Sequence, residues 1–310
     1  MENDTTFNIP ILFITYNKLD TTLKVLDKIQ EINPSNLVVS SDGSKNSQDA
    51  KIIGLLRSKI DEKLNDSKYK KIYNDENLGC KKAVTSAIEK SFEEFSQLII
   101  LEDDTLPSKD FFTYAERMLH LYDSNKAISL ISGYNYLIRT KSSNNFYFSK
   151  YSNIWGWATW KSQWENRVEL NEKNLNKFLK LDLTNLFFSE FEKEYYITRF
   201  KDVVYNNLDS WAYGLSFSNL YQNKYSIIPK YNLVKNIGLG HDKATHTKAS
   251  EKYLISTPNI RLGYFQKHNY TKIEPVQNIK NDYLYYKTII EKTSFYNKFI
   301  FKLLKLFKKI

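Results

Sequence analysis

The sequence contains a single cysteine, Cys80, among its 310 residues. One thiol excludes a disulfide within the chain and suits a reducing compartment, so we expect a cytoplasmic protein. We expect Cys80 itself to pack as a small apolar residue. No apolar run approaches the roughly 20 residues that a membrane-spanning helix needs. The first residues, MENDTTFNIPILFITYNK, carry acids before a short apolar run, which predicts a first strand rather than a signal peptide.

Internal repeats and nucleic-acid recognition motifs are also lacking. The net charge is +10 and the pI is near 9.2, but the lysines are spread along the chain. This basic balance admits anionic partners such as a nucleotide or a membrane surface, and we expect no nucleic-acid partner. The length fits one large α/β domain, or such a domain with an appendage.

The pattern that is present is an alternation of apolar strands and helices. Strands are predicted at 9–17, 36–44, 70–75 and 96–104, with helices between them. Such spacing predicts an α/β fold with a mostly parallel sheet flanked by helices. Ligands of these sheets bind at the carboxyl ends of the strands, and each predicted strand here ends in polar residues. The further predicted elements are a helix at 107–122, a strand at 127–135, an irregular aromatic stretch at 146–164, helical residues at 170–207, and a helix then a strand within 209–230.

The fourth predicted strand runs into three consecutive acids in LIILEDDTLPS (98–108). Glu102, Asp103 and Asp104 would repel one another unless a positive charge lies among them. Carboxylates at a strand end are a usual seat for a hard divalent cation whose shell is completed by substrate phosphates, so Mn²⁺ or Mg²⁺ is predicted. The alternative is a helix cap, which Asp104 or Ser108 could provide.

Four motifs in order, TYNK, SSDGS, NDENLG and LEDD, resemble the nucleotide-sugar-binding half of GT-A glycosyltransferases, which have a Rossmann-like fold. The stretch LIILEDDTLPSKDFF is most similar to the inverting N-acetylglucosaminyltransferase I type and to bacterial family 2-like sugar transferases. The resemblance covers about residues 8–247. It implies a UDP-sugar donor, with UDP-GlcNAc slightly preferred, and a glycan or glycolipid acceptor.

The resemblance also implies roles for individual residues of the first half. Asp104 would bind the metal, Asp103 would face the ribose or the metal, and Glu102 would contact the donor sugar. The remaining donor-binding residues would be Thr15, Tyr16, Asn17 and Lys18 around the base, Asp42 on the uracil or ribose, and Gly79 and Lys82 near the nucleotide. Asp42-Gly43 could instead form an ordinary turn, and Lys82 could lie on a solvated helix face.

In the second half, inversion needs a carboxylate that takes the proton of the acceptor hydroxyl. Asp209 in NNLDSWAYG lies in an aspartate–tryptophan setting similar to that of the family's catalytic aspartate, and we predict that it is the general base. Asp202 and Glu165 are weaker candidates, and Asp209 could also be a helix N-cap. In NIWGWATWKSQWE the resemblance implies that Trp157 contacts the donor sugar, whereas Trp160 and Trp164 are expected in the core. The alternative for Trp157 is core packing as well.

Two late segments complete the prediction. The loop GLGHDKATHT contains His241 and His246. The resemblance implies that one of them completes the metal shell or contacts the diphosphate, although the segment could be only a surface loop. Residues 292–310 hold six lysines and no acids, with apolar residues on one helical face. This pattern predicts an amphipathic helix on anionic lipid, although the helix could instead pack on a partner subunit or its own domain.

Together these features predict a GT-A domain at 1–260 and a C-terminal extension at 261–310. The domain would comprise a nucleotide-sugar-binding half at 8–115 and an acceptor and catalytic half at 127–247. The predicted protein is a bacterial, metal-dependent inverting glycosyltransferase, peripheral on the inner face of the plasma membrane, that builds a surface glycan or its lipid-linked precursor. The alternatives are a nucleotidyltransferase, which would want a glycine-rich phosphate loop after the first strand, and a catalytically silent module that binds glycan or membrane.

Overall fold

The computed structural model describes residues 6–64, 69–137, 140–238 and 271–291. Its strands are β1 (Ile11–Thr15), β2 (Leu37–Ser41), β3 (Tyr69–Tyr73), β4 (Gln97–Glu102), β5 (Thr105–Pro107), β6 (Ile128–Ser132), β7 (Phe146–Ser149), β8 (Trp157–Trp160), β9 (Tyr225–Pro229) and β10 (Val234–Asn236). Its helices are α1 (Leu19–Gln30), α2 (Ser47–Lys63), α3 (Cys80–Phe92), α4 (Lys109–Leu121), α5 (Lys161–Glu165), α6 (Glu172–Phe178), α7 (Glu190–Tyr205), α8 (Trp211–Tyr221) and α9 (Ile279–Tyr285). A π-helical turn, Tyr286–Glu291, follows α9.

Eight strands form one sheet in the order β3-β2-β1-β4-β8-β6-β9-β7. The first four are parallel to one another, as are β6 and β9. Strands β8 and β7 run against their neighbours. The predicted fold class, a mixed and mostly parallel sheet flanked by helices, is confirmed.

The central strand β1 shows why this sheet is sandwiched. Its sequence ILFIT is apolar on both faces, as expected for a parallel strand covered on each side. Ile11 and Phe13 face one apolar cluster, which includes residues of α1, α2 and α4. Leu12 faces the other, which includes residues of α3 and α8. Successive side chains of a strand point to opposite faces, so one strand joins both cores.

The aromatic stretch 146–164 is more regular than predicted. It contains β7, β8 and α5 instead of irregular chain. Strand β8 pairs antiparallel with both β4 and β6, and all four of its residues are buried. The strand is therefore defined by partners that are distant in the sequence, which local patterning does not reveal.

Residues 271–291 pack against the second half of the chain. Tyr286 and Ile290 belong to an apolar cluster with Phe178 and Phe200. The buried Asp282 accepts hydrogen bonds from Ser149 Oγ at 2.6 Å and from the backbone N–H of residue 150 at 3.1 Å. The segment is thus fastened to the end of β7, next to the helices of this half.

Candidate functional site

A cavity of about 210 Å³ opens at the carboxyl ends of β1, β2 and β4. The amino end of α3 forms a further part of its wall. Carboxyl ends of neighbouring parallel strands meet at one edge of a sheet, so the polar strand ends are brought together as the sequence predicts. The sequence-predicted residues that line the cavity are Thr15, Tyr16, Lys18, Asp42, Gly79, Glu102, Asp103 and Asp104.

The three acids form one corner of this cavity, the acidic corner (Glu102, Asp103 and Asp104). The Nζ of Lys18 lies 3.1 Å from Asp103 Oδ1 and 2.8 Å from Asp104 Oδ2. All three side chains are largely buried, so solvent and salt screen this contact little. A positive charge does lie among the acids, and in this structure Lys18 of the same chain supplies it.

One ammonium does not balance three carboxylates. Burial, together with Asp104 and Asp103, raises the pKa of Glu102 to about 8. Burial raises the pKa of Asp103 to about 6, with Lys18 acting in the opposite direction. Burial also disfavours the ammonium of Lys18, yet Asp103 and Asp104 keep its pKa above the ordinary value. The acidic corner therefore retains an attraction for further positive charge.

The chemistry of the acidic corner fits a hard divalent cation. One oxygen of Asp103 and one of Asp104 already point at a common positive charge, and Mg²⁺ is often held by one or two carboxylates plus substrate phosphates. Among the described residues, no group of three or more His, Cys, Asp or Glu side chains is arranged to hold a metal ion. Asp103 and Asp104 are therefore the two protein ligands that the acidic corner could provide. The ammonium of Lys18 would have to leave these two carboxylates before a cation could bind them. His241 and His246 lie outside the described residues.

The chain after β1 is fixed by contacts with both the acidic corner and α2. The backbone N–H of Tyr16 donates to Asp103 Oδ2 at 3.1 Å, and its hydroxyl donates to Asp49 Oδ2 at 2.9 Å. Burial and Asp49 raise the pKa of Tyr16 to about 12. Asn17 also donates to Asp49 and does not line the cavity. Lys45, which sequence reasoning missed, lines the cavity with its Nζ 5.7 Å from the centre of the Tyr16 ring.

Asp42 is buried at the end of β2, where it holds the NDENLG segment (74–79) in place. Its carboxylate accepts from Asn74 Nδ2 at 3.1 Å, from Asn77 Nδ2 at 3.0 Å and from the backbone N–H of Leu78 at 3.1 Å. A Cβ at Gly43 would lie 2.2 Å from the carbonyl carbon of Glu76, so the close approach of the two loops requires glycine. The Asp-Gly pair therefore joins two loops beside the cavity, and a contact of Asp42 with a nucleotide stays a prediction.

Arg57 of α2 holds the carboxyl-end edge of the sheet in place. No sequence motif surrounds it, so the sequence alone does not predict this role. Its Nη2 donates to the carbonyl oxygens of Ser41 at 2.9 Å, Asp42 at 3.2 Å and Asn74 at 2.8 Å. One guanidinium thus ties the carboxyl ends of β2 and β3 together, because its several N–H groups can donate at once.

Asp209 lies at the amino end of α3 and accepts two backbone hydrogen bonds. The N–H of Cys80 donates to Asp209 Oδ2 at 2.7 Å, and that of Lys81 donates to Oδ1 at 2.8 Å. The preceding Gly79 has φ +79°, and a Cβ there would lie 2.8 Å from Asp209 Oδ2. Asp209 is exposed and does not line the cavity itself. It caps α3, whereas Ser210 occupies the N-cap position of its own helix α8.

Besides Asn17, two further predicted donor contacts, Lys82 and Trp157, are not brought to the cavity. Lys82 is exposed on α3 and does not line it, in agreement with the solvated-face alternative. Trp157 is only 1% exposed and stacks on Trp211 with ring centroids 5.6 Å apart, so it cannot reach a ligand there. Trp155 lines the cavity instead. Trp160 and Trp164 are buried in the core, as predicted.

The remaining single-residue predictions concern the two weaker candidates for the general base, Asp202 and Glu165, and the packing of Cys80. Asp202 pairs with Arg199 at 3.0 Å, and the exposed Glu165 lies 3.7 Å from Lys161; neither lines the cavity. Cys80 packs against the apolar cluster beside α3, and burial together with Glu102 and Asp209 raises its pKa to about 12. It packs as a small apolar residue, as expected, and it also lines the cavity.

The predicted glycine-rich loop begins at the acidic corner. The backbone N–H of Ile237 donates to the carbonyl oxygen of Asp104 at 2.8 Å, and a Cβ at Gly238 would lie 2.4 Å from Asp104 Oδ2. The rest of this loop and the basic tail 292–310 lie outside the described residues. Across the parts of the chain that are described, no helix has the length and apolarity to cross a bilayer.

No protein-family model matches the sequence, and no curated protein matches it either. Solved structures to which the chain is similar include TarS 1-349 of S. aureus, at 12% identity over 79% of this chain, with a TM-score of 0.38. A glycosyltransferase involved in the glycosylation of the major capsid of PBCV-1 is 12% identical over 60% of this chain and 75% of its own, with a TM-score of 0.24. UDP-glucose pyrophosphorylase complexed with UDP-glucose is 9% identical over 80% of this chain and 97% of its own, with a TM-score of 0.35.

These similarities are distant. The match spans 62% of the TarS chain. Sequence identities of 9–12% and TM-scores of 0.24–0.38 carry no argument about activity. The strand order of the eight-stranded sheet shows the fold class of this chain. The cavity at the strand ends is the feature that bears on its function.

Proposed function

We propose that this chain is a metal-dependent inverting glycosyltransferase that uses a UDP-sugar, with UDP-GlcNAc slightly preferred. The acceptor would be a bacterial surface glycan or its lipid-linked precursor. One observation carries the proposal: the ends of β1, β2 and β4 converge on a cavity that has an acidic corner beside the amino end of a helix. Carboxylates suit a cation that holds phosphates, and the cationic side chains of Lys18 and Lys45 line the same cavity.

Within this proposal, most of the described cavity residues bind the nucleotide-sugar donor, and one carboxylate accepts a proton from the acceptor. Thr15, Tyr16 and Asp42 lie at strand ends where a nucleoside would be held, and Glu102 is left for the donor sugar. Asp103 and Asp104 would hold Mn²⁺ or Mg²⁺, which would supply positive charge to the leaving diphosphate.

The chemical step is an exchange of one bond for another. The acceptor oxygen bonds to the anomeric carbon from the face opposite the diphosphate, the bond from that carbon to the diphosphate oxygen breaks, and the hydroxyl proton passes to a carboxylate. We assign that proton to Asp209, which lies next to the cavity residue Gly79.

The test is release of UDP from a panel of UDP-sugars with Mn²⁺ and with EDTA. We expect one donor to be turned over only with the metal, and Asp104→Asn to weaken UDP binding at least about 100-fold, since even changes behind a metal ligand lower affinity 10- to 100-fold. Asp123→Asn, an exposed acid at the end of α4, is the control. Calorimetry with UDP and Mn²⁺ gives the affinities.

Other outcomes separate the alternatives. Pyrophosphate release from a nucleoside triphosphate and a sugar 1-phosphate, without turnover of any UDP-sugar, would favour a nucleotidyltransferase. UDP binding without turnover of any donor would favour a silent binding module. If the folded protein binds no UDP, the proposal is wrong.

We further propose that residues 292–310 hold the enzyme on anionic lipid, which would place it beside a lipid-linked acceptor. The support is the sequence pattern, because each lysine near such a surface contributes roughly 1 kcal/mol. We expect the full chain to sediment with phosphatidylglycerol vesicles at low salt and a chain ending at residue 291 to stay in solution. Equal sedimentation of the two chains would contradict this role.

A further inference from the structure

A group of five aromatic side chains, the aromatic wall (Tyr136, Trp155, Tyr195, Tyr213 and Tyr285), extends from the cavity into the second half of the chain. Trp155 lines the cavity and lies with its ring centroid 5.1 Å from that of Tyr136. Tyr136 in turn lies 5.6 Å from Tyr285, edge to face. The hydroxyls of Tyr195 and Tyr213 are 3.3 Å apart. The wall is therefore continuous with the cavity through Trp155.

The five side chains come from separate parts of the fold. Tyr136 follows β6, Trp155 precedes β8, and Tyr195, Tyr213 and Tyr285 belong to α7, α8 and α9. Tyr195, Tyr213 and Tyr285 all pack against one apolar cluster of the second half, in which the ring of Tyr151 stacks on Tyr285 with centroids 4.2 Å apart. The aromatic wall is therefore assembled from five separate segments of the chain and not from one face of a single helix.

The members of the wall keep surface and hydrogen-bonding groups available. All five are half-buried, in contrast to the neighbouring Tyr151, which is 2% exposed and donates to Glu192 Oε1 at 2.6 Å. Among the described residues, the hydroxyls of Tyr136 and Tyr285 have no hydrogen-bond partner. A half-buried phenol without a partner offers a donor and an acceptor to a ligand.

The charge near the wall is already paired. Arg199 lies over the ring of Tyr195 at 5.9 Å, and its guanidinium donates to Asp202 at 3.0 Å. The wall is therefore an aromatic surface with hydroxyl groups at its edges and a neutralised cation beside it. A sugar ring has the matching chemistry, because its C–H face packs on aromatic rings and its hydroxyls bond to phenols.

We propose that the aromatic wall is the acceptor subsite and that it binds a neutral hexose or N-acetylhexosamine ring. The subsite rests on the proposed function, because only a transferase needs an acceptor beside the donor cavity. Its position at the cavity edge, through Trp155, would bring an acceptor hydroxyl towards the donor sugar.

The test uses the full chain and measures glycoside binding separately from nucleotide binding. The probes are methyl β-glucoside, methyl β-galactoside and methyl N-acetyl-β-glucosaminide, observed by saturation-transfer NMR with and without UDP and Mn²⁺. We expect at least one to bind, with an affinity that falls about 2- to 10-fold in Tyr136→Phe and Tyr285→Phe, because each loses one hydrogen bond. Trp155→Ala should weaken binding about tenfold or more through loss of its ring face.

Tyr231→Phe is the matched control, since Tyr231 is 53% exposed and does not belong to the wall. Tyr285→Phe keeps the ring that stacks on Tyr151, and Tyr136→Phe keeps its own ring. Folding should therefore be preserved, and the midpoint of thermal unfolding checks this. Glycoside binding that is absent in the wild type, or equal in all variants, overturns the subsite even if UDP binds. Glycoside binding at the wall without UDP binding supports the subsite as a sugar site and contradicts the transferase.

Discussion

Replacing Lys18 with methionine is expected to lower the free energy of unfolding by about 3–5 kcal/mol in EDTA, because it leaves buried carboxylates without their counter-charge. The Lys18 ammonium contacts both Asp103 and Asp104, and the three side chains are 12%, 7% and 18% exposed. Methionine keeps much of the length of the side chain and removes only the charge. Chemical denaturation in EDTA measures the loss.

The same variant should recover stability when a divalent cation is added. A ligand that binds only the folded state at about 100 times its Kd contributes roughly 2.7 kcal/mol. Mn²⁺ should therefore stabilise Lys18→Met more than the wild type, in which the ammonium competes for the same two oxygens. This readout needs no turnover and no donor.

Lys28→Met is the matched control for the lost charge. Lys28 pairs with Glu31 on the surface of α1, with side chains 40% and 37% exposed, and such pairs contribute little. If Lys18→Met costs no more than this control, the acidic corner does not depend on Lys18. If Mn²⁺ stabilises the wild type and the variant equally, the cation binds elsewhere.

The parallel half of the fold could be predicted from the sequence because its signals are local. Apolar runs such as that of β1 end in polar residues, and each is followed by a helix of the expected length. Strand β8 could not be predicted in this way, because its four residues WATW lie in an aromatic stretch and find their partners on β4 and β6. Pairing across such sequence distances is decided by tertiary packing.

The candidate site was predictable to the same extent. Strand ends that meet at one edge placed Thr15, Asp42 and the acidic corner together. The contact of Lys18 with Asp104 spans 86 positions, and no local pattern encodes it. Trp157 and Trp155 are two residues apart and lie in different environments: Trp155 lines the cavity, whereas Trp157, the predicted donor contact, is buried. Composition identifies an aromatic stretch, whereas Gly156, at φ +62°, breaks the extended backbone between the two rings, so they do not share a face as residues two apart on a strand would.

Asp209→Asn is expected to reduce sugar transfer by about 10²- to 10⁴-fold, the usual contribution of a general base. It should also lower the free energy of unfolding by about 1 kcal/mol, because the carboxylate caps α3 through two backbone N–H groups and an amide replaces only part of that contact. UDP affinity should change little, since Asp209 does not line the cavity. Initial rates with the acceptor that the wild type uses, calorimetry with UDP, and denaturation measure the three quantities.

Asn171→Ala separates capping from catalysis, because Asn171 caps α6 through the N–H of Asn174 and is not a cavity residue. It should cost about 1 kcal/mol of stability and leave transfer unchanged.

A further variant, Asp209→Gly, should regain part of its transfer rate in formate, which can accept the hydroxyl proton in place of the missing carboxylate. Both carboxylate oxygens of Asp209 already accept backbone hydrogen bonds, so a capping role alone could explain a loss of transfer, and this rescue is the decisive measurement. If formate has no effect and UDP affinity falls in step with transfer, Asp209 positions the amino end of α3 and another group takes the proton.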